Sequence, residues 1–545
     1  MTIDKDRVSK DLALDDSNES TVAKEPSLFD SINPPVFFTS GGLLIVLLTC
    51  CVIAPDQSIA FFTAIKDYIL TNFSWFYVLS VTLIFGFCIW LCVSPYGHLV
   101  LGEDHEKPVY SRSSWYAMLF AAGMGIGLVF YGVAEPMAHF RAPPVGEALS
   151  QEALTAALPL TYHHWGLHAW AVYAVIGLSI AFFTYRRNLP LSLRSCFFPI
   201  FGHRIHGWLG HFIDIIAVFG TLFGLATSLG AGASSVSAGF HRLFGTPDTV
   251  TVQLIIIALI TGAATISLVT GVDKGIRILS EANMVIAGLL LLFVFVVGPT
   301  SYILDRFTEG VGLYMNDFVY RSLKLGQSGT TESNWIKGWS VVYWGWWVAW
   351  APFVGMFVAR ISRGRTVRDF VLSVMCVPVV VTFFWFAVFG GTALSPEIRP
   401  AIVKTIEEAG SGANAVAVYA MLEQLPFAEV LCFLAVIVVT IFFVSSSDSA
   451  SFVVDMLTSG GHLEPPTWQR VFWATAEGAT AAALLYTGGE KVLSGLKAGV
   501  VSFGLPFCVL MLLMCYALYK ALREEDLSPK EANEKQTETQ DSEKA

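Results

Sequence analysis

The chain has 545 residues, of which 54% are hydrophobic, 13% aromatic and only 14% charged, and its net charge is −10. Soluble domains carry roughly 25% charged residues, so this composition excludes a water-soluble globular protein and predicts one that lies largely within a bilayer. Much of the acid falls in polar tails and loops, and nothing resembles a basic nucleic-acid surface, so nucleic acid is excluded as a partner.

A bilayer core about 30 Å thick takes about 20 apolar residues to cross. Such windows are predicted at 36–56, 73–95, 114–135, 165–185, 208–236, 251–271, 281–301, 337–358, 370–393, 427–453, 468–487 and 499–520. The first begins near Val36 after a charged tail of more than thirty residues, which reads as a retained span and not as a cleaved signal. The division expected is a polar tail at 1–34, a twelve-span domain at 35–520 and a second polar tail at 521–545. The stretches "PPVGEALSQEALTAAL" (143–158) and "DKGIRI" (273–278) are expected to be short interfacial pieces between spans. Twelve spans place both termini on one side. Arginine concentrated in 184–204 and 359–370 assigns those loops, and with them both tails, to the cytoplasm. The nine cysteines lie mostly in apolar segments without metal-type spacing and read as small buried hydrophobes.

Two spans look interrupted. In the third, "AAGMGIGLVFYGVAEP" places Gly123, Gly125 and Gly127 inside a span, each costing a helix interior about 1 kcal/mol relative to alanine. The eighth, "WSVVYWGWWVAWAPFVGMFVARISRGR", carries Gly345, Pro352 and Gly355. If each opens a five-helix repeat, the two halves face opposite ways across the membrane, the plan of many secondary transporters whose substrate sits at broken helices. The alternative is close helix packing, for which Gly123 and Gly127 have the GxxxG spacing.

Aromatic residues cluster in the same region. On a continuous helix Trp165, Trp170 and Tyr173 of "YHHWGLHAWAVY" share an arc of about 140°, and the eighth span holds Trp344, Trp346, Trp347 and Trp350. Tryptophan commonly marks membrane interface or core. Several faces around one point instead form a cage for a quaternary ammonium, at about 2 kcal/mol or more per desolvated contact. The tenth span contains "IFFVSSSDSASFVVD", whose hydroxyls suit a small hard cation or bond back to their own helix. His164 and His168 are four apart and could share a metal, which would make an intramembrane metalloenzyme the rival class; packing or a hydrogen bond to a neighbouring helix is the favoured reading. Glu135 is expected to end the third span, and Glu477 has no assigned role.

In "GMGIG", "HHWGLHAWAVY" and "WGWWVAWAPFVGMFVARISRGRT" the sequence resembles the betaine/choline/carnitine transporter family, over essentially residues 35–520. The resemblance implies an all-α integral membrane protein of the LeuT-like fold: twelve transmembrane helices, with two inverted five-helix repeats (spans 3–7 and 8–12) after two N-terminal spans. It also implies a homotrimer in a bacterial inner membrane, and no enzymatic activity or organic cofactor. By motif, the family's aromatic box falls on Trp165, Trp170, Tyr173 and Trp347. Trp346 and Trp350 fall near the substrate carboxylate and access path, and Trp344 outside them. A sodium site of coupled members maps to Ala121, Met124, Phe442, Ser445 and Ser446. A second maps to Thr221 and Phe353, with Leu225 where the family has another hydroxyl. Choline carriers of the family often place an aspartate where this chain has Gly127. A net-neutral ligand needs no such charge, and backbone donors freed at Gly123, Gly125 and Gly127 would bind its carboxylate. The implied function is a secondary active symporter importing a zwitterionic methylated osmolyte, glycine betaine first, with sodium as coupling ion. The alternatives are a proton-coupled choline or carnitine carrier and dimethylsulfoniopropionate uptake. The family's osmosensing members carry a long basic C-terminal helix, and since the tail after Lys520 and Arg523 is short and mixed to acidic, activation through such a helix is not expected here.

Overall fold

With no water in the bilayer core to satisfy backbone groups, apolar segments must close their hydrogen bonds locally, and the chain does so as helices. The computed structural model describes residues 32–525 except 124, 271–272, 463–464 and 489–491, and it describes only the backbone for 120–123, 270, 273–277 and 492–496. Most of both predicted tails lies outside the described residues. The helices are α1 (Pro34–Ile53), α2 (Pro55–Asn72), α3 (Ser74–Val93), α4 (Arg112–Gly123), α5 (Ile126–Arg141), α6 (Gln151–Trp165), α7 (Leu167–Ala181), α8 (Trp208–Phe244), α9 (Val250–Thr270) and α10 (Asp273–Val297). They continue with α11 (Thr300–Ser322), α12 (Thr331–Ile336), α13 (Val342–Arg360), α14 (Val367–Leu394), α15 (Arg399–Ala409), α16 (Ala413–Leu422), α17 (Ala428–Thr458), α18 (Thr467–Gly488) and α19 (Val492–Leu522).

Among the described residues, 10 helical runs are long and apolar enough to cross a membrane. They fall on ten of the twelve predicted windows. The other two windows are helical as well, but the third is divided between α4 and α5, and α18 carries too many polar groups, Gln469, Arg470 and Glu477 among them, to qualify by apolarity alone. Exposed Leu43, Leu83, Leu259 and Leu289 form lipid-facing surface. The long α8 is the central post and packs against α13, α17, α18 and α19.

Three expectations need correction. The fourth span does not begin at 165: its helical run starts at Gln151, where the Ser150 hydroxyl accepts the Ala153 N–H at 3.1 Å, so 151–158 is helix with Ala153, Leu154, Ala157 and Leu158 buried, while 143–150 remains a mostly exposed connection. Likewise "DKGIRI" opens α10. The eighth span is not broken at Gly345, Pro352 or Gly355, because α13 runs through all three; its irregularity is a π-helical turn at Lys337–Val341. Those glycines serve packing. A Cβ on Gly345 would lie 3.3 Å from the Val500 carbonyl oxygen, and one on Gly355 would collide with Ile176.

The loops predicted to share one membrane face do meet. The Leu101 N–H donates to the Arg365 carbonyl at 2.8 Å, and the Gly364 N–H to that of Leu101 at 2.8 Å. Arg186, at the end of the fourth span, donates to the carbonyls of Val100 and Gly102, to Asp104 at 2.8 Å and to Glu525 at 2.6 Å. Glu106 pairs with Arg363 at 2.6 Å, and that guanidinium holds its carboxyl below the usual range. The ends of spans 2, 4, 8 and 12 therefore sit together, as an even-numbered set must if the chain crosses the membrane at each span.

Candidate functional site

The third-span glycines interrupt the helix as their cost suggests. Helix α4 ends at Gly123, Gly125 is extended (φ −142, ψ −163), and α5 begins at Ile126. A Cβ on Gly125 would stand 3.7 Å from the Ser446 hydroxyl and 3.9 Å from Cη2 of Trp350, so the break lies against α17 and α13. One on Gly127 would stand 3.0 Å from Cη2 of Trp165 and 3.3 Å from Cη2 of Trp346.

A second break, not anticipated from sequence, falls at Gly166 between α6 and α7. No side chain fits there, because a Cβ would meet the Tyr162 carbonyl oxygen at 2.5 Å and the Tyr314 hydroxyl at 2.7 Å. The shared arc expected for Trp165, Trp170 and Tyr173 therefore does not hold: Trp165 ends one helix while the other two lie on the next. They gather through α13 instead. Trp165 meets Trp347 edge-to-face at 4.9 Å, Trp347 stacks on Trp346 at 4.9 Å, Tyr173 lies 6.3 Å from Trp347, and Trp170 joins through Tyr173 at 5.5 Å. All five rings are buried. Indole N–H groups fix the walls, that of Trp347 donating to the His164 carbonyl at 2.8 Å and that of Trp346 to the Gly224 carbonyl at 3.3 Å. Trp350 packs on Phe353 at 5.4 Å, and Trp344 turns away toward His163 and His168. Tyr131 and Tyr343, which sequence reading missed, complete the cluster: Tyr131 lies 5.8 Å from Trp346, and Tyr343 lies 5.8 Å from Trp165.

Glu135 does not end the third span. It lies within α5, fully buried, and both of its oxygens are occupied. Oε1 takes His164 Nδ1 at 2.6 Å and His139 Nε2 at 3.2 Å, while Oε2 accepts from the Trp165 indole at 2.8 Å and from the Tyr343 hydroxyl. The available signal was the Glu135–His139 spacing of four. Glu135, His139 and His164 form a group able to hold a metal ion, their ligand atoms lying within 4.8 Å of one another. His168, paired with His164 in the sequence reading, does not belong to this group: the two lie on separate helices either side of the Gly166 break. His168 packs against Phe85, Phe318 and Trp344.

Of the residues mapped to a first ion site, Phe442 is buried, the Ser445 hydroxyl donates to the Phe442 carbonyl at 3.3 Å, and Ser446 faces Gly125. Ala121 lies near the end of α4 with its side chain undescribed, Gly123 is known only as the last residue of that helix, and Met124 lies outside the described residues. Of the second, the buried Thr221 hydroxyl has no hydrogen-bond partner among the described residues, and Phe353 and Leu225 are buried on adjoining helices. Glu477 accepts from Ser447 at 3.2 Å and Ser451 at 3.0 Å, a role the sequence did not suggest.

Residues 35–527 match the betaine/carnitine/choline family of transporters. Glycine betaine transporter 1 of Vibrio parahaemolyticus is 42% identical over 94% of this chain and 98% of its own length. The glycine betaine transporter OpuD of Bacillus subtilis is 42% identical over 88% and 93%. A glycine betaine/proline/choline/ectoine transporter of Vibrio parahaemolyticus is 41% identical over 91% and 88%. The chain belongs to the betaine/carnitine/choline transporter family and is a multi-pass membrane transporter, not an enzyme.

Proposed function

We propose that this transporter is a secondary active symporter that imports glycine betaine or a related methylated zwitterion by alternating access, with sodium as its coupling ion. The observation that carries the reading is the juxtaposition of Trp165, Trp346 and Trp347 with the interrupted backbone at Gly125 and with Gly127 in the first turn of α5. Indole faces suit a methylated onium head, and freed backbone N–H groups suit a carboxylate. The nearby carboxylate of Glu135 is committed to its own donors, so the cluster offers no free countercharge to a ligand lacking an acid. The relatives named for glycine betaine support the same substrate. Sodium is favoured by the approach of Ser446 to Gly125 and by the unpartnered Thr221 hydroxyl. The proposal includes placement in a bacterial inner membrane with cytoplasmic termini, supported by the arginine-rich loops, and a homotrimeric state, supported by the family resemblance.

The deciding experiment is counterflow in proteoliposomes, with and without a sodium gradient, against glycine betaine, choline, carnitine and dimethylsulfoniopropionate. Sodium-stimulated exchange of betaine is expected. Choline or carnitine exchange driven by a proton gradient and indifferent to sodium would replace this reading with its rival.

A further inference from the structure

We infer that Lys497 is a specificity-determining residue at the mouth of the aromatic cage, admitting ligands that carry a carboxylate and turning away those that carry only positive charge. The inference rests on the substrate class proposed above. A lysine within an apolar span costs about 3 kcal/mol at the helix centre and calls for a function or an escape to the interface. Lys497 lies near the start of α19 and lines a pocket with Tyr131, Trp339, Tyr343 and Trp346. Its ammonium sits over the Trp339 ring, 5.4 Å from the centroid. Trp346 is a wall of this pocket and stacks on Trp347 of the cage, so the two spaces share an indole. Trp339 and Tyr343 precede Trp346 along the chain, whereas Trp350, beside Gly125, follows it. The pocket therefore lies on the opposite side of the cage from the backbone break, which is the outer side in the orientation proposed here.

Among the described residues lining the pocket, Lys497 is the one that carries a charge. The nearest opposing charge on the third span, Glu135, stands behind Tyr343, whose hydroxyl donates to it. A carboxylate-free onium entering here must approach the ammonium and compete with it for the face of Trp339. A zwitterion can lead with its carboxylate and form a charge-assisted hydrogen bond instead. A cleft lined by one sign of charge discriminates in this way before the tighter site is reached. The competing account is that the side chain only reaches for the membrane interface, in which case its charge has no bearing on choice of ligand.

The test uses the full-length protein in proteoliposomes, comparing wild type with Lys497→Met and Lys497→Arg. The readout is the ratio of the choline to glycine betaine concentrations that half-inhibit uptake of labelled betaine. Lys497→Met is expected to shift that ratio about tenfold toward choline, and Lys497→Arg to keep it near wild type. An unchanged ratio in Lys497→Met, or an equal shift in both variants, overturns the inference. If Lys497→Met does not yield folded protein by size exclusion, Lys497→Gln takes its place under the same criteria. Wild-type vesicles that take up no betaine would refute the proposed substrate. A betaine-transporting wild type with an unchanged variant ratio would refute the role of Lys497 alone.

Discussion

The edge of the Trp165 ring lies 3.0 Å from where a Cβ on Gly127 would be, and the edge of Trp346 lies 3.3 Å from the same point. Any side chain at 127 therefore enters the cage wall. A carboxylate there would both displace an indole and offer a countercharge. Gly127→Asp is expected to lower betaine uptake more than tenfold and to make choline the better competitor. A variant that takes up betaine normally and gains no choline flux contradicts this.

Removing a cage face should cost one desolvated cation–π contact, about 2 kcal/mol or about thirtyfold in apparent affinity. Trp165→Ala and Trp347→Ala are expected to lose uptake to that extent at normal expression. Trp165→Phe keeps a face but loses the N–H bond to Glu135 and should fall between alanine and wild type. Unchanged affinity in both alanine variants would mean that these rings do not hold the ligand.

Glu135 accepts from Trp165 and Tyr343 while meeting two histidine nitrogens. Glu135→Gln replaces one acceptor oxygen by a donor, leaving buried groups unpaired at about 1–3 kcal/mol each, so thermal stability and uptake should fall together. Read as a hydrogen-bonded hub, the cluster needs no metal. Uptake should survive treatment with a chelator, and elemental analysis should find no stoichiometric zinc. Loss of transport on chelation with recovery on adding zinc would make it a metal site.

Ser446 faces the backbone break, so Ser446→Ala should raise the sodium concentration for half-maximal uptake several-fold, with less effect on betaine affinity at saturating sodium. Thr221→Ala, at the place where Leu225 supplies no second hydroxyl, should have the smaller effect. Wild-type transport independent of sodium would remove both expectations.

The apolar helices were legible in the sequence because hydropathy is a local property summed over neighbours, and ten of the twelve windows fall on helical runs long and apolar enough to cross a membrane. The break at Gly123–Gly127 was legible for a similar reason, since three glycines within five residues weaken one short stretch whatever surrounds it. Other features were misread or missed. Gly345 and Gly355 look like the third-span glycines on paper, yet they sit in continuous helix, because only the neighbours Val500 and Ile176 decide that they serve close approach. Gly166 gave no warning, because the Tyr314 hydroxyl that crowds it and accepts the Leu167 N–H comes from far away in the chain.

The amino-acid sequence by itself determined a helical membrane protein with aromatic residues concentrated on two spans and an interrupted third. Only the tertiary structure decided which rings meet, that Glu135 ties Trp165 to Tyr343, and that Lys497 stands over Trp339. The reason is physical: backbone hydrogen bonds within a span are closed by residues four apart and leave a periodic trace. The donors to a buried carboxylate come from whichever helices pack beside it, and that pairing has no period to read.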